Sequence, residues 1–206
     1  MDSKRAWVQL ISLEKPSIQN NTADVQRLEK SLKQSISNML GKGSAPAKVK
    51  IPFHLIKHLP GFLRSWDFRA KAILFREKQD WLLLDLLAPE SKKAILGAAL
   101  DIGTTRIEIA LIDLQTGMEI AGTGFDNPQA AIGPDILTRI HYSARVGGLD
   151  HLSRLVTAAL NRTLDHLCRS CGYKKEDIYI AAGAGNTAMT HLFTGIEAFD
   201  LIKEPY

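Results

Sequence analysis

Cysteine is nearly absent: Cys168 and Cys171 are the only two in 206 residues. Two thiols exclude a disulfide framework. They also cannot supply the four thiolates of an iron–sulfur cluster or a four-cysteine zinc site from this chain alone. Long hydrophobic runs are missing too, since no uncharged apolar stretch approaches the roughly 18 residues needed to cross a bilayer. The opening MDSKRAWVQLISLEKPS has basic residues but neither a long apolar core nor a small-residue cleavage site, so it does not read as a secretory signal. Aromatic residues are few at 7%, yet 45% hydrophobic and 23% charged residues are ordinary for a globular protein and argue against disorder. A cytoplasmic protein without a membrane span is the expectation.

Neither charge sign dominates the whole chain, which carries a net +4, but the two halves differ. Residues 1–93 hold 17 Lys+Arg against 9 Asp+Glu, and residues 94–206 hold 9 against 13. Such a change of sign predicts two units with different surfaces. The basic half carries its charges dispersed, at Lys4, Arg5, Lys30, Lys33, Lys48, Lys50, Arg64, Arg69 and Arg76, with no dense run and no recognition-helix motif. It therefore reads as a solvated face or a dock for an acidic partner, not as a nucleic-acid surface.

The hydrophobic pattern divides at the same place. WVQLISL (7–13) alternates like a short strand ended by Pro16. Thr22 or Asn21 is placed to cap a helix over about 23–39, with Val25, Leu28, Leu32, Ile36 and Met39 at helical spacing. GKGSAPAK (41–48) is a breaker, and 53–59 reads as a short helix stopped by Pro60-Gly61. Residues 68–75 and 81–87 form two β-like runs around REKQD, and 88–93 is a linker, so residues 1–90 predict a small α+β module. Beyond it, strands are expected over 95–102, 106–114 and 119–124, helices over 136–144 and 152–168, a fourth strand over 178–182 and a short helix over 187–193. Three strands in a meander followed by helix and strand is the order of a ribonuclease-H-like α/β domain.

The sharpest chemical signal is Leu100-Asp101-Ile102-Gly103-Thr104-Thr105. A strand delivers Asp101 to its end, Gly103 permits a tight turn, and two threonines offer hydroxyls and backbone N–H groups before the next strand. That arrangement suits a polyphosphate, with Asp101 holding Mg²⁺ through water or orienting an attacking water. The competing reading is a plain hairpin with a capping aspartate. Ala182-Gly183-Ala184-Gly185-Asn186-Thr187 lies between a strand and a helix, where glycines allow close approach and a helix N-terminus favours an anion. It is neither a dinucleotide fingerprint nor a Walker loop, and it reads equally as an ordinary strand–helix turn. Asn127-Pro128-Gln129, Gly133-Pro134-Asp135 and Arg139 occupy a loop entering a helix, where Asp135 is read as a cap and no chemistry is assigned. His54 and His58, four apart, lack a third metal ligand, and Cys168-Arg-Ser-Cys171 ends a helix instead of beginning one, so both read as structural.

With these motifs in view, the chain resembles the ATP-dependent reductive activators of corrinoid proteins. The resemblance is carried by LDIGTTRIEIALIDLQTG (100–117), NPQAAIGPDILTRI (127–140), GNTAMTHLFTG (185–195), and, for a linker domain, residues 7–33 and HLPGFLR (58–64). It implies residues 1–90 as a linker domain. It implies residues 94–206 as the N-terminal half of a nucleotide-binding domain of the actin, acetate-kinase and heat-shock-chaperone superfamily. It further implies ATP and Mg²⁺ as cofactors, with Asp101 catalytic and its Mg²⁺ contact through water. Asp101, Gly103, Thr104 and Thr105 would form the first phosphate element, and Gly185, Asn186 and Thr187 a second family loop of unassigned role.

In the family an iron–sulfur domain supplies the electron and ATP hydrolysis drives its delivery to a Co(II) corrinoid. Relatives carry that domain ahead of this stretch and continue past Tyr206, so the expectation is an incomplete activator: a truncation, a split product or a gene fragment. Arg106 stands where relatives carry a small hydroxyl residue, and either contacts phosphate or faces solvent. The implied partner is a corrinoid protein or corrinoid-dependent methyltransferase, with a homodimer or a separate second half completing the cleft. Two other classes remain: a non-catalytic module docking on a corrinoid protein, and a small-molecule kinase of the same superfamily.

Overall fold

Alternating apolar residues build two separate sheets, one in each half of the chain. The computed structural model describes residues 8–41 and 48–203, so Trp7 of the expected first strand and most of the 41–48 breaker lie outside the described residues. Two units result, residues 1–93 and 94–206.

In the first unit a four-stranded sheet has the order β1-β3-β4-β2. Strand β1 (Val8–Ser12) runs antiparallel to β3 (Arg69–Glu77), which forms a hairpin with β4 (Asp80–Leu87). The two-residue β2 (Val49–Lys50), too short to leave a periodic signal, pairs parallel with β4. Helices α1 (Asp24–Leu40) and α2 (Phe53–Ser65) cover one face. Leu28, Leu32 and Ile36 of α1 and Leu55, Leu59 and Leu63 of α2 meet Ala70, Ala72, Leu74, Trp81, Leu83 and Leu86 of the sheet in one core.

Two local expectations are corrected here. The cap of α1 is Ala23, not Thr22 or Asn21. Arg27 is buried and draws the oxygens of Glu14, Asn20 and Thr22 around its guanidinium, which commits that segment before the helix starts. Helix α2 also runs through Pro60, where a stop was expected. Proline removes one backbone donor and crowds the preceding turn, but Leu59 and Leu63 on either side of it are 1% and 0% exposed. Burying both requires the helix to continue.

The second unit has the sheet order β7-β6-β5-β8. Strands β5 (Leu96–Ile102), β6 (Arg106–Asp113) and β7 (Glu119–Asp126) form the antiparallel meander. Strand β8 (Ile178–Gly185) returns parallel to β5 after α3 (Ile136–Ser143) and α4 (Gly148–Ser170), and α5 (Thr187–Thr194) follows it. This is the ribonuclease-H-like arrangement. The core joins Leu96, Ile102, Ile107, Ile109 and Leu111 to Leu152, Val156, Leu160 and Leu167 of α4 and to Met189 and Leu192 of α5. The other sheet face is a shallow groove. Among the described residues no helix is long and apolar enough to cross a membrane.

The Pro60 geometry is directly testable. Pro60 is exposed, so Pro60→Ala restores a donor without touching the core and should stabilise the first unit by about 1–3 kcal/mol. Trp7, Trp66 and Trp81 all belong to this half, so tryptophan fluorescence in a urea titration reads its midpoint, which should rise.

Candidate functional site

Parallel pairing of β5 with β8 sends both strands out at the same end of the sheet. In open α/β sheets that carboxyl end is where ligands bind. Residues 103–105 leave β5 there and residues 186–187 leave β8, with Asp101 opposite Ala184 and Ile102 opposite Gly185. Gly185 permits this approach, because a Cβ there would stand 2.9 Å from the Ile102 carbonyl oxygen. Gly103 serves the turn itself, since its Cβ would run into the Arg106 carbonyl oxygen.

The turn is held from behind. The Asn127 side chain donates from Nδ2 to the Gly103 carbonyl at 2.9 Å, and the Asn127 amide donates to the Thr105 carbonyl at 2.7 Å. Between them, Arg139 Nη1 donates to the Thr104 carbonyl at 2.7 Å. All three carbonyl oxygens are thereby engaged inside the fold. Among the described residues no acceptor takes the amide N–H of Thr104 or Thr105. Asn186 ties the second loop to the first: its Nδ2 donates to Thr104 Oγ1 at 3.2 Å, and its Oδ1 accepts from the Met189 amide at 2.8 Å, capping α5. Thr187, the first residue of α5, is exposed beside it.

Asp101 is exposed and lies on the groove face of the sheet, directly across from Glu108 of β6. The groove encloses about 740 Å³ over a floor of small residues, including Ala99, Ala110, Gly122, Gly124, Ala182 and Gly183, with Asp101, Arg106, Glu108 and Glu119 as its charges. Arg106 does not turn toward the Thr104–Thr105 amides. Its guanidinium pairs with Glu108 and stands 3.7 Å from Asp126, and the Glu108 hydrogen bond and charge hold its pKa above the usual value.

Asp135 is the cap that its position in the sequence suggests: it accepts from the Thr138 amide at 2.9 Å and from the Thr138 hydroxyl at 2.7 Å, which holds its carboxyl below the usual range. Asn127, Gln129 and Arg139, to which the sequence assigns no chemistry, are 1%, 0% and 0% exposed. Gln129 donates from Nε2 to the Leu152 carbonyl of α4 at 3.1 Å and so anchors the loop beneath the turn. A usable signal did exist in the sequence. Arg139 falls on the helix stripe marked by Ile136, Ile140 and Ser143, a position where an arginine must face inward.

The other candidates stand on elements of their own. His54 and His58 are exposed on α2, and no group of three metal-ligating side chains occurs among the described residues. Cys168 is buried, and desolvation pushes its thiol pKa up, away from a reactive thiolate.

The buttress predicts its own mutational signature. Asn127→Ala removes the partner of the half-buried Gly103 carbonyl and of the Gln129 amide, and should destabilise the second unit by about 1–3 kcal/mol. Amide hydrogen exchange should show protection falling in the second unit while that of α1 and β3 is unchanged.

Comparison with known proteins places both halves of the chain in one family. Residues 96–206 match the family model described as the RACo middle region, and residues 4–93 match the RACo linker region. The corrinoid activation enzyme RamQ of Eubacterium limosum is 31% identical over 120 residues, a match covering 57% of this chain and 20% of that protein. A solved structure, the reductive activator for corrinoid, iron–sulfur protein, superposes with a TM-score of 0.83 at 28% identity, covering 97% of this chain and 30% of that one. These matches thus cover less than a third of the length of either relative.

Proposed function

Because the chain belongs to the RACo family, we propose that it supplies the linker and the first phosphate-binding half-site of an ATP-dependent activator that returns Co(II) corrinoid to Co(I). The observation that carries this reading is the 103–105 turn, whose carbonyls are bound inward and whose Thr104 and Thr105 amides have no protein acceptor among the described residues. Two free amides at the carboxyl end of a central strand fit a polyphosphate, whose oxygens only accept hydrogen bonds.

Each residue then has a part. The amides of Thr104 and Thr105 donate to phosphate oxygens, and Gly103 keeps the turn tight enough to aim them. The Thr104 hydroxyl, already bonded to Asn186, fixes the distance between the two loops. Gly185, Asn186 and Thr187 bring the N-terminus of α5 to the same anion, where its dipole favours negative charge. Asp101 accepts hydrogen bonds from water at the groove edge, either a water of hydrated Mg²⁺ or the attacking water of hydrolysis. Mg²⁺ at this position would neutralise charge on the phosphates.

Reduction of Co(II) to Co(I) takes one electron, which the reading assigns to an iron–sulfur group carried on residues other than these 206. The remaining walls of the nucleotide cleft are assigned likewise to the rest of a longer chain, a second copy or a separate half. Closing them would exclude water and complete the site. The partner is a corrinoid protein or corrinoid-dependent methyltransferase, and a cytoplasmic setting suits two unpaired thiols.

Calorimetric titration of the folded chain with Mg·ATP tests the reading. Saturable binding is expected, weakened at least tenfold by Asp101→Ala with the thermal midpoint unchanged. A folded chain that takes up no Mg·ATP, or an Asp101→Ala variant that binds as the parent does, would overturn it.

A further inference from the structure

Arg139 is the largest fully buried side chain among the described residues, at 0% exposure. Its Nε donates to the Gly133 carbonyl at 2.8 Å, and its Nη1 donates to the Thr104 carbonyl and lies 3.7 Å from Met189 Sδ in the first turn of α5. The guanidinium therefore sits where the phosphate turn meets the second loop. Its Nη2 is buried without an acceptor, and no carboxylate forms an ion pair with it among the described residues.

The other buried arginine also has no carboxylate in an ion pair among the described residues, but none of its guanidinium nitrogens lacks an acceptor. Arg27, at 4% exposure, spends its guanidinium on four bonds to three residues, Glu14, Asn20 and Thr22. A buried charge left unpaired costs several kcal/mol. Holding the Thr104 carbonyl needs no charge, because the neutral Asn127 amide does the same for Gly103. The acid whose charge acts on Arg139 is Asp135, which is exposed and committed to capping α3, so burial prevails and lowers the Arg139 pKa. An arginine nevertheless keeps its proton.

We propose that Arg139 is an electrostatic positioning residue for the phosphate site, its buried positive charge being completed only when an anion occupies the Thr104 and Thr105 amides. This rests on the phosphate reading above. The charge acts through the turn: it polarises the Thr104 peptide and raises the potential at the amides in front of it. Being buried, it is shielded little by salt.

The test is a calorimetric comparison of the chain with its Arg139→Gln and Arg139→Lys variants, titrated with Mg·ATP and with inorganic tripolyphosphate at pH 7 and pH 9. Thermal unfolding is followed alongside. Arg139→Gln, if folded, should bind both anions at least tenfold more weakly than the parent at both pH values. A lysine buried there without a carboxylate has a depressed pKa, so Arg139→Lys should lose at least tenfold in affinity between pH 7 and pH 9 relative to the parent over the same interval. A role limited to holding the turn would not produce that pH profile. Should Arg139→Gln fail to fold, the lysine profile alone decides. A folded Arg139→Gln chain that binds as tightly as the parent, or a lysine variant with the parental profile, overturns the inference and leaves the phosphate reading standing. A parent that binds neither anion overturns that reading, and the inference with it.

Discussion

Three consecutive carbonyl oxygens, those of Gly103, Thr104 and Thr105, must be satisfied inside the protein if the amides of the turn are to face outward. Every other feature of the candidate site depends on that constraint. Asn127 and Arg139 meet it, and each is held by a neighbour in turn. Asn127 also caps the short 3₁₀ helix Pro128–Ala131, and Arg139 rides on α3, whose start is set by Asp135. Gln129 then fastens the same loop to α4. A turn open to water would leave its carbonyls free to rotate, and the amides would have no fixed direction. The polar cluster converts a flexible hairpin tip into a preorganised donor pair, the kind of fixed dipole arrangement that favours anions in a partly desolvated setting.

That cluster is possible only because the surrounding apolar core is complete without it. Leu152, Val156 and Leu160 of α4 share one core with Ile107, Ile109 and Leu111 of β6 and with Met189 and Leu192 of α5. Buried polar groups are tolerable when they are hydrogen-bonded, and here nearly all are. The first unit obeys the same rule with different residues, wrapping its own buried Arg27 in backbone oxygens. The two arginines share burial but differ in how fully their donors are satisfied.

Much of the architecture was legible locally. The strands over 96–102, 106–113 and 119–126 lie close to the expected ranges, because alternation in an antiparallel meander follows directly from one buried face. Strand β8 extends to Gly185, three residues past its apolar run, since Gly183–Gly185 still pair with β5 although they bury little. Helix α4 begins a turn before its aliphatic stripe, after Gly147 adopts a left-handed conformation that periodicity does not signal. Pro60 misled for the opposite reason: a strong local signal yielded to the burial of Leu59 and Leu63. The family resemblance was legible too, through stretches too long and particular to arise from generic strand–turn patterns.

By itself, the sequence determined most of the segments that form helices and strands, where the chain divides into a basic and an acidic half, and that a strand would present Asp101 ahead of a Gly-Thr-Thr turn. These are consequences of short-range chemistry: side-chain alternation, helical spacing, capping and turn preferences. Only the tertiary structure decided that Asn186 meets Thr104 across 82 residues of chain, that Asn127 and Gln129 are buried, and that the inward-facing Arg139 reaches the Thr104 carbonyl. The physical reason is the parallel pairing of β5 with β8. A parallel crossover joins distant segments through a helical layer, and nothing in the local pattern of either strand states which partner it will find.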